Sequence, residues 1–198
     1  MKNIAIFASG SGTNAENLIR HFNGKEQARA CVKALFSNKP EAYALTRAAK
    51  LGVPAQVFGR SDLYSSNLIL DELRRQSIDL IVLAGFLWLM PESIVSAFRR
   101  RIVNIHPALL PKYGGKGMYG MNVHRAVKAA GERETGITIH YVNAEYDRGD
   151  AIFQATCPVL ASDTADDIAA KIHLLEQEHF PKIVEKIAAE IGCGAQEK

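Results

Sequence analysis

The chain has 198 residues, 47 % of them hydrophobic, which is enough to bury the core of one large domain, and residues 1–198 are read as a single domain. A formal charge of +3, with no dense basic block beyond Arg99-Arg100-Arg101, argues against a surface that tracks nucleic acid and leaves small anionic ligands open. Cys31, Cys157 and Cys193 are too widely spaced for a disulfide framework or a zinc knuckle, and no run reaches transmembrane length or reads as a secretory leader, so the cytoplasm is the expected compartment.

Taken in order, the chain alternates between strand and helix patterns. Lys2 to Ala8 reads as an apolar strand, and Ser9-Gly10-Ser11-Gly12-Thr13-Asn14 as a glycine turn into a helix over Ala15 to Phe22. Thr13 or Asn14 is the expected N-cap. Strand, glycine turn and helix N-terminus form a natural anion site, because unpaired backbone N–H groups face the gap. The spacing is neither a complete dinucleotide fingerprint nor a P-loop, and an ordinary strand-to-helix turn is the competing reading. Cys31 to Ser37 then reads as strand, Glu41 to Leu51 as helix, Ala55 to Phe58 as a short strand and Leu63 to Gln76 as one helix. Asp79 to Ala84 is a buried strand pattern, and a short helix runs from Pro91 through Phe98. Between them, Gly85-Phe86-Leu87-Trp88-Leu89-Met90 supplies either plain core or the wall of a pocket for a flat ring.

Arg101 to Ile105 is strand-like, with Asn104 and His106 on one face because side chains alternate, until Pro107 ends the ladder. Lys112 to Gly120 is a glycine-rich, basic and aromatic loop. Asn122 to Ala130 resumes a helix, with His124 in its first turn read as a surface histidine. Gly136 to Val142 and Ala151 to Cys157 are expected to pair as antiparallel strands around a turn that carries Asp147. A final helix from Asp163 to Ala189 begins with a capped, acidic turn and should kink or split at Pro181, with a frayed tail beyond Gly192. His173 and Glu176 stand one turn apart on it. The rhythm implies an α/β fold: an open, mostly parallel twisted sheet with helices on both faces, late antiparallel strands and a C-terminal helix.

Two polar groups at a strand's C-terminal end lie where open α/β sheets bind ligands. Histidine moves protons near neutral pH, a nearby carboxylate such as Asp147 stabilises its charged form, and an asparagine N–H can hold charge developing on a carbonyl oxygen. No serine or cysteine nucleophile stands out beside Asn104, His106 and Asp147, and no metal-ligand motif is present, so direct transfer between bound partners is favoured over a covalent intermediate.

These residues carry a resemblance. Ser9-Gly10-Ser11-Gly12-Thr13-Asn14, Val82-Leu83-Ala84-Gly85-Phe86, Asn104-Ile105-His106-Pro107-Ala108-Leu109-Leu110-Pro111, Thr135-Gly136 and Asp147-Arg148-Gly149-Asp150-Ala151-Ile152 together resemble the phosphoribosylglycinamide formyltransferase family across nearly the whole chain. The resemblance implies a Rossmann-like catalytic domain in which the amine of glycinamide ribonucleotide attacks the formyl carbon of 10-formyltetrahydrofolate during purine synthesis. It assigns Asn104 to the formyl oxygen, His106 to general acid catalysis and Asp147 to tuning that histidine. Gly12, Thr13, Asn14 and Glu176 would bind the ribonucleotide. Phe86, Leu87, Leu89 and Met90 would wall the folate site, with Asn104 and the Val142 to Asp147 loop at the pterin edge. The implied partners are these small molecules, with no metal, nucleic acid or membrane, and the protein is expected as a monomer or homodimer.

Three departures from the family pattern stand out. Ser61 occupies the place of a folate-contacting arginine, with Arg60 beside it; Arg148 replaces a glycine after Asp147; and the Gly114 to Met121 loop is longer than in many members. Related formyltransferases and the formyltetrahydrofolate hydrolases share the core but are expected to carry an additional domain. A formyltransferase for another small amine, and a non-catalytic folate- or nucleotide-binding protein, are the alternatives.

Overall fold

A computed structural model of the protein describes residues 1–24 and 29–191. Its framework is one seven-stranded sheet of β1 (Lys2–Phe7), β2 (Ala30–Ser37), β3 (Ala55–Val57), β4 (Leu80–Leu83), β5 (Ile102–His106), β6 (Glu134–Tyr141) and β7 (Ala151–Pro158). The strand order is β3-β2-β1-β4-β5-β6-β7. β1 to β5 run parallel, while β6 pairs antiparallel with both β5 and β7. The order reverses between β1 and β4, and at such a switch point the flanking loops diverge and leave a crevice.

Because both faces of the parallel strands are covered, alternate residues feed two cores. Ile4, Ile6, Val103 and Ile105 pack under α1 (Thr13–Asn23), α2 (Tyr43–Lys50), α6 (Met121–Ala129) and α7 (Ala165–Glu190). Ala5, Phe7, Ile81 and Leu83 pack under α3 (Arg60–Tyr64), α4 (Leu68–Arg75) and α5 (Glu92–Ala97). Phe7 and Phe36 stack at 5.0 Å between ring centroids in the second core.

The expected elements are found, with three corrections. The single helix expected over Leu63 to Gln76 is two, α3 and α4. Ser66 accepts the Leu68 N–H at 3.3 Å and donates to the Asp62 carbonyl at 3.2 Å, and such local bonds compete with the helical ladder. The cap of α1 is Gly12, at φ +74°, rather than Thr13 or Asn14, and no side chain caps this helix. Gly12 is required there: a Cβ would lie 2.5 Å from the Ala44 Cα. The third correction concerns α7: of the kink or split expected at Pro181, the split is absent, and the helix is continuous from Ala165 to Glu190. A proline has no N–H for the carbonyl of Gln177, four residues back, and Asn17 on α1 donates its Nδ2 to that oxygen at 3.0 Å instead.

The acidic start of α7 is a capping box, in which Thr164 and Asp167 exchange side-chain and backbone bonds. Cys193 and the tail beyond Gly192 lie outside the described residues. Among the described residues no helix is long and apolar enough to cross a membrane.

Candidate active site

A cavity of about 700 Å³ opens at the switch point, within the usual size of small-molecule sites. Three strand ends supply its floor. The loop after β1 brings Gly12, Thr13 and Asn14; the segment after β4 brings Phe86 and Leu87; the end of β5 brings Asn104 and His106. The loop after β6 closes one side with Tyr146 and Asp147, and α7 closes another with His173 and Glu176. Lys116 and Tyr119 of the glycine-rich loop complete the wall. Leu89, Met90 and Val142 are not among its lining residues. Met90 is buried in the second core, Val142 packs against that core, and the Leu89 carbonyl accepts the Tyr64 hydroxyl at 2.8 Å.

The polar centre is built by register. Asn104 on β5 stands opposite His140 on β6, and His106 opposite Thr138, so cross-strand pairing presents all four side chains on one face. His140 Nδ1 lies 2.8 Å from the Tyr141 carbonyl and therefore carries the proton. With that tautomer the Nε2 lone pair faces the Asn104 amide, which donates to it at 3.0 Å. One amide hydrogen of Asn104 is thereby fixed, and the other is available to a ligand oxygen.

Asp147 bridges the two histidines. Its Oδ2 is 3.6 Å from His106 Nδ1 and its Oδ1 is 3.6 Å from His140 Nε2. The Gly115 N–H also donates to Oδ2 at 2.8 Å. Asp147 itself has φ +54°, a left-handed conformation that aspartate tolerates better than most residues. The turn is tight enough that a Cβ on Gly149 would fall 1.7 Å from the Tyr141 carbonyl oxygen.

His106 donates Nε2–H to the Tyr113 carbonyl at 2.8 Å, which turns Nδ1 towards Asp147. Burial pulls the pKa of His106 below the ordinary imidazole value, although the Asp147 charge and the Tyr113 carbonyl oppose that fall. Burial pushes the Asp147 carboxyl up, but the His106 charge and the Gly115 N–H work against it, and the group is held below the usual carboxylate value. On the far wall, Glu176 lies 3.5 Å from His173 Nδ1, and that contact raises the pKa of His173.

His140 had a legible signal, since it alternates along a strand opposite the Asn104–His106 pair, but only the register shows the contact. His124 is not a surface residue as expected. It is 6 % exposed, because the buried side of α6 carries Val123, His124 and Val127, and its Nδ1 has no hydrogen-bond partner.

Fold and site together define a class: an α/β protein with a large cleft at the switch point of its sheet, an anion-ready helix start on one side and an Asn–His–Asp centre on the other. Within that class the chain belongs to the formyl transferase family, whose model matches residues 2–184. It is 39 % identical over 193 residues to a chloroplastic phosphoribosylglycinamide formyltransferase of Vigna unguiculata, covering 96 % of this chain and 62 % of that protein. The chain thus spans less than two thirds of this plant relative. It is 37 % identical to phosphoribosylglycinamide formyltransferase of Haemophilus influenzae, covering 93 % of this chain and 86 % of the relative. The crystal structure of phosphoribosylglycinamide formyltransferase from Anaplasma phagocytophilum superposes with a TM-score of 0.86 at 36 % identity, over 95 % of this chain and 87 % of that one.

Proposed function

We propose that the protein transfers the formyl group of 10-formyltetrahydrofolate to the amine of N1-(5-phospho-D-ribosyl)glycinamide, giving the N-formyl ribonucleotide and tetrahydrofolate for purine synthesis. One observation carries the reading above all: Asn104, His106 and Asp147 converge in a cavity that Gly12-Thr13-Asn14 and Glu176 also line. The relatives described above are named phosphoribosylglycinamide formyltransferases.

In this reading the amine lone pair attacks the formyl carbon and the carbonyl electron pair moves onto oxygen. The free amide hydrogen of Asn104 holds that oxyanion, a contribution of about 3 kcal/mol for a donor of this kind. As the bond from carbon to N10 of the folate breaks, protonated His106 gives its Nδ1 proton to N10. The surplus proton of the attacking nitrogen then restores the ring, so protons balance and no covalent intermediate forms. Asp147 favours the protonated ring. The uncapped first turn of α1 meets the phosphate with its N–H groups, and the Glu176 carboxylate takes a ribose hydroxyl or the glycinamide group. Phe86 and Leu87 face the pterin, and Met90 and Val142, in the same core cluster as Phe86, support that wall from behind. The formyl donor is a co-substrate. Residues 1–198 act as one catalytic domain, monomeric or homodimeric, in the cytoplasm.

The test is to incubate the purified protein with both substrates and follow tetrahydrofolate and formylated ribonucleotide together. Stoichiometric appearance of the two is the expected result. Folate release without formylated ribonucleotide would replace transfer with hydrolysis, and no turnover would leave a binding protein.

A further inference from the structure

Behind the site, and outside the cavity, Glu132 follows the end of α6 and accepts two hydrogen bonds. One comes from Lys112 Nζ at 2.8 Å, the other from the Tyr113 hydroxyl at 2.9 Å. Tyr113 has φ +56°, a conformation that a bulky side chain keeps only where its surroundings fix it. Its ring packs against the first core, and its carbonyl accepts the Nε2–H of His106 at 2.8 Å. The orientation of that carbonyl therefore depends on a strained backbone, and Glu132 grips the far end of the same residue.

We propose that Glu132 is a positioning residue that sets the ring orientation and tautomer of His106 by holding Tyr113 in its left-handed conformation. With the clamp closed, Nε2 must carry the proton and Nδ1 is the nitrogen turned to Asp147 and the cavity. With the clamp open, Tyr113 relaxes, its carbonyl leaves the ring, and His106 is free to adopt the other tautomer and to turn. Lys112 is not essential to this device, because its side chain is 68 % exposed and Tyr113 reaches Glu132 without it.

The other groups that face His106 are Asp147 from the loop after β6, His140 from β6, Glu176 from α7 and His124 from α6. None is altered by substitution at 132. The Tyr113 carbonyl raises the proton affinity of His106, so losing it moves the limb on which activity falls with rising pH towards lower pH.

The inference rests on the proposed acid role of His106, and two readouts separate their failures. The 15N resonances of the His106 imidazole report the tautomer whether or not the protein turns over. Wild-type protein should show Nε2–H, and Glu132→Ala should show a mixture. In the formyl-transfer assay Glu132→Ala should lower kcat about 10- to 100-fold, the scale of a displaced catalytic group, with both KM values within about twofold. Glu132→Gln, which still accepts from the Tyr113 hydroxyl, should recover to within about threefold of wild type, and Lys112→Ala should match wild type. Tyr113→Phe should follow Glu132→Ala in both readouts, and it carries the same test if Glu132→Ala does not fold. A lowered melting temperature with wild-type kcat, pH limb and imidazole spectrum would overturn the proposal and leave Glu132 a structural residue.

Discussion

Asp147→Asn isolates the charge that acts on His106. The substitution keeps the side-chain shape, an oxygen to accept the Gly115 N–H, and a residue type that tolerates φ +54°. What it removes is one negative charge 3.6 Å from His106 Nδ1. At that distance the interaction is about 1 kcal/mol in a water-like medium and about 5 kcal/mol at an effective dielectric constant of about 20. The Asp147 side chain is 13 % exposed, so the site lies between these limits, and His140 shares the carboxylate. An intermediate value of about 3 kcal/mol corresponds to roughly a 100-fold fall in kcat. Burial already lowers the His106 pKa and Asp147 opposes it, so the variant's pKa falls further. The rate should therefore decline with rising pH from a lower pH than in wild type. The measurement is kcat against pH at saturating concentrations of both substrates, with circular dichroism to confirm the fold. A variant that keeps kcat within about threefold, with the limb unmoved, would refute the assignment of Asp147 as the group that tunes His106.

Other consequences are as direct. Gly12→Ala forces a Cβ to within 2.5 Å of Ala44 at a left-handed backbone, so it should raise KM for the ribonucleotide more than for the folate and lower the melting temperature. Asn17→Leu leaves the exposed Gln177 carbonyl to water and should cost about 0.5 to 1 kcal/mol in urea unfolding, whereas the same change in a Pro181→Ala background should cost less, because an alanine N–H can take that oxygen. The pKa values of His106 and His124 are both lowered by burial, so below about pH 6.5 the unfolded chain takes up protons that the fold resists. Stability should drop as pH falls from that point, and His124→Gln should reduce the drop in thermal melts. Glu72, held at about 2 by Arg75 and Gln76, contributes stability that is present above its ordinary carboxylate pKa and lost only as pH falls towards 2.

Local pattern alone fixed much of this protein. Alternation along Arg101 to His106 placed Asn104 and His106 on one face, and Pro107 ended the strand beside the crevice. The glycine turn before α1 marked an anion-ready helix start, and the strand–helix rhythm implied the parallel sheet. These features depend on residues a few positions apart, so short-range sterics and hydrophobic periodicity determine them. Other features depend on partners far along the chain. Pro181 reads as a helix breaker until Asn17, 164 positions earlier, supplies the missing bond to Gln177. His124 looks like a surface residue until the packing of α6 buries it. His140 joins the centre only through the β5–β6 register, and Asp147 reaches both histidines only because Gly149 lets the turn fold back against Tyr141. A hydrogen bond across strands or between helices depends on which backbones the tertiary fold brings together, and that proximity has no signature in either segment by itself.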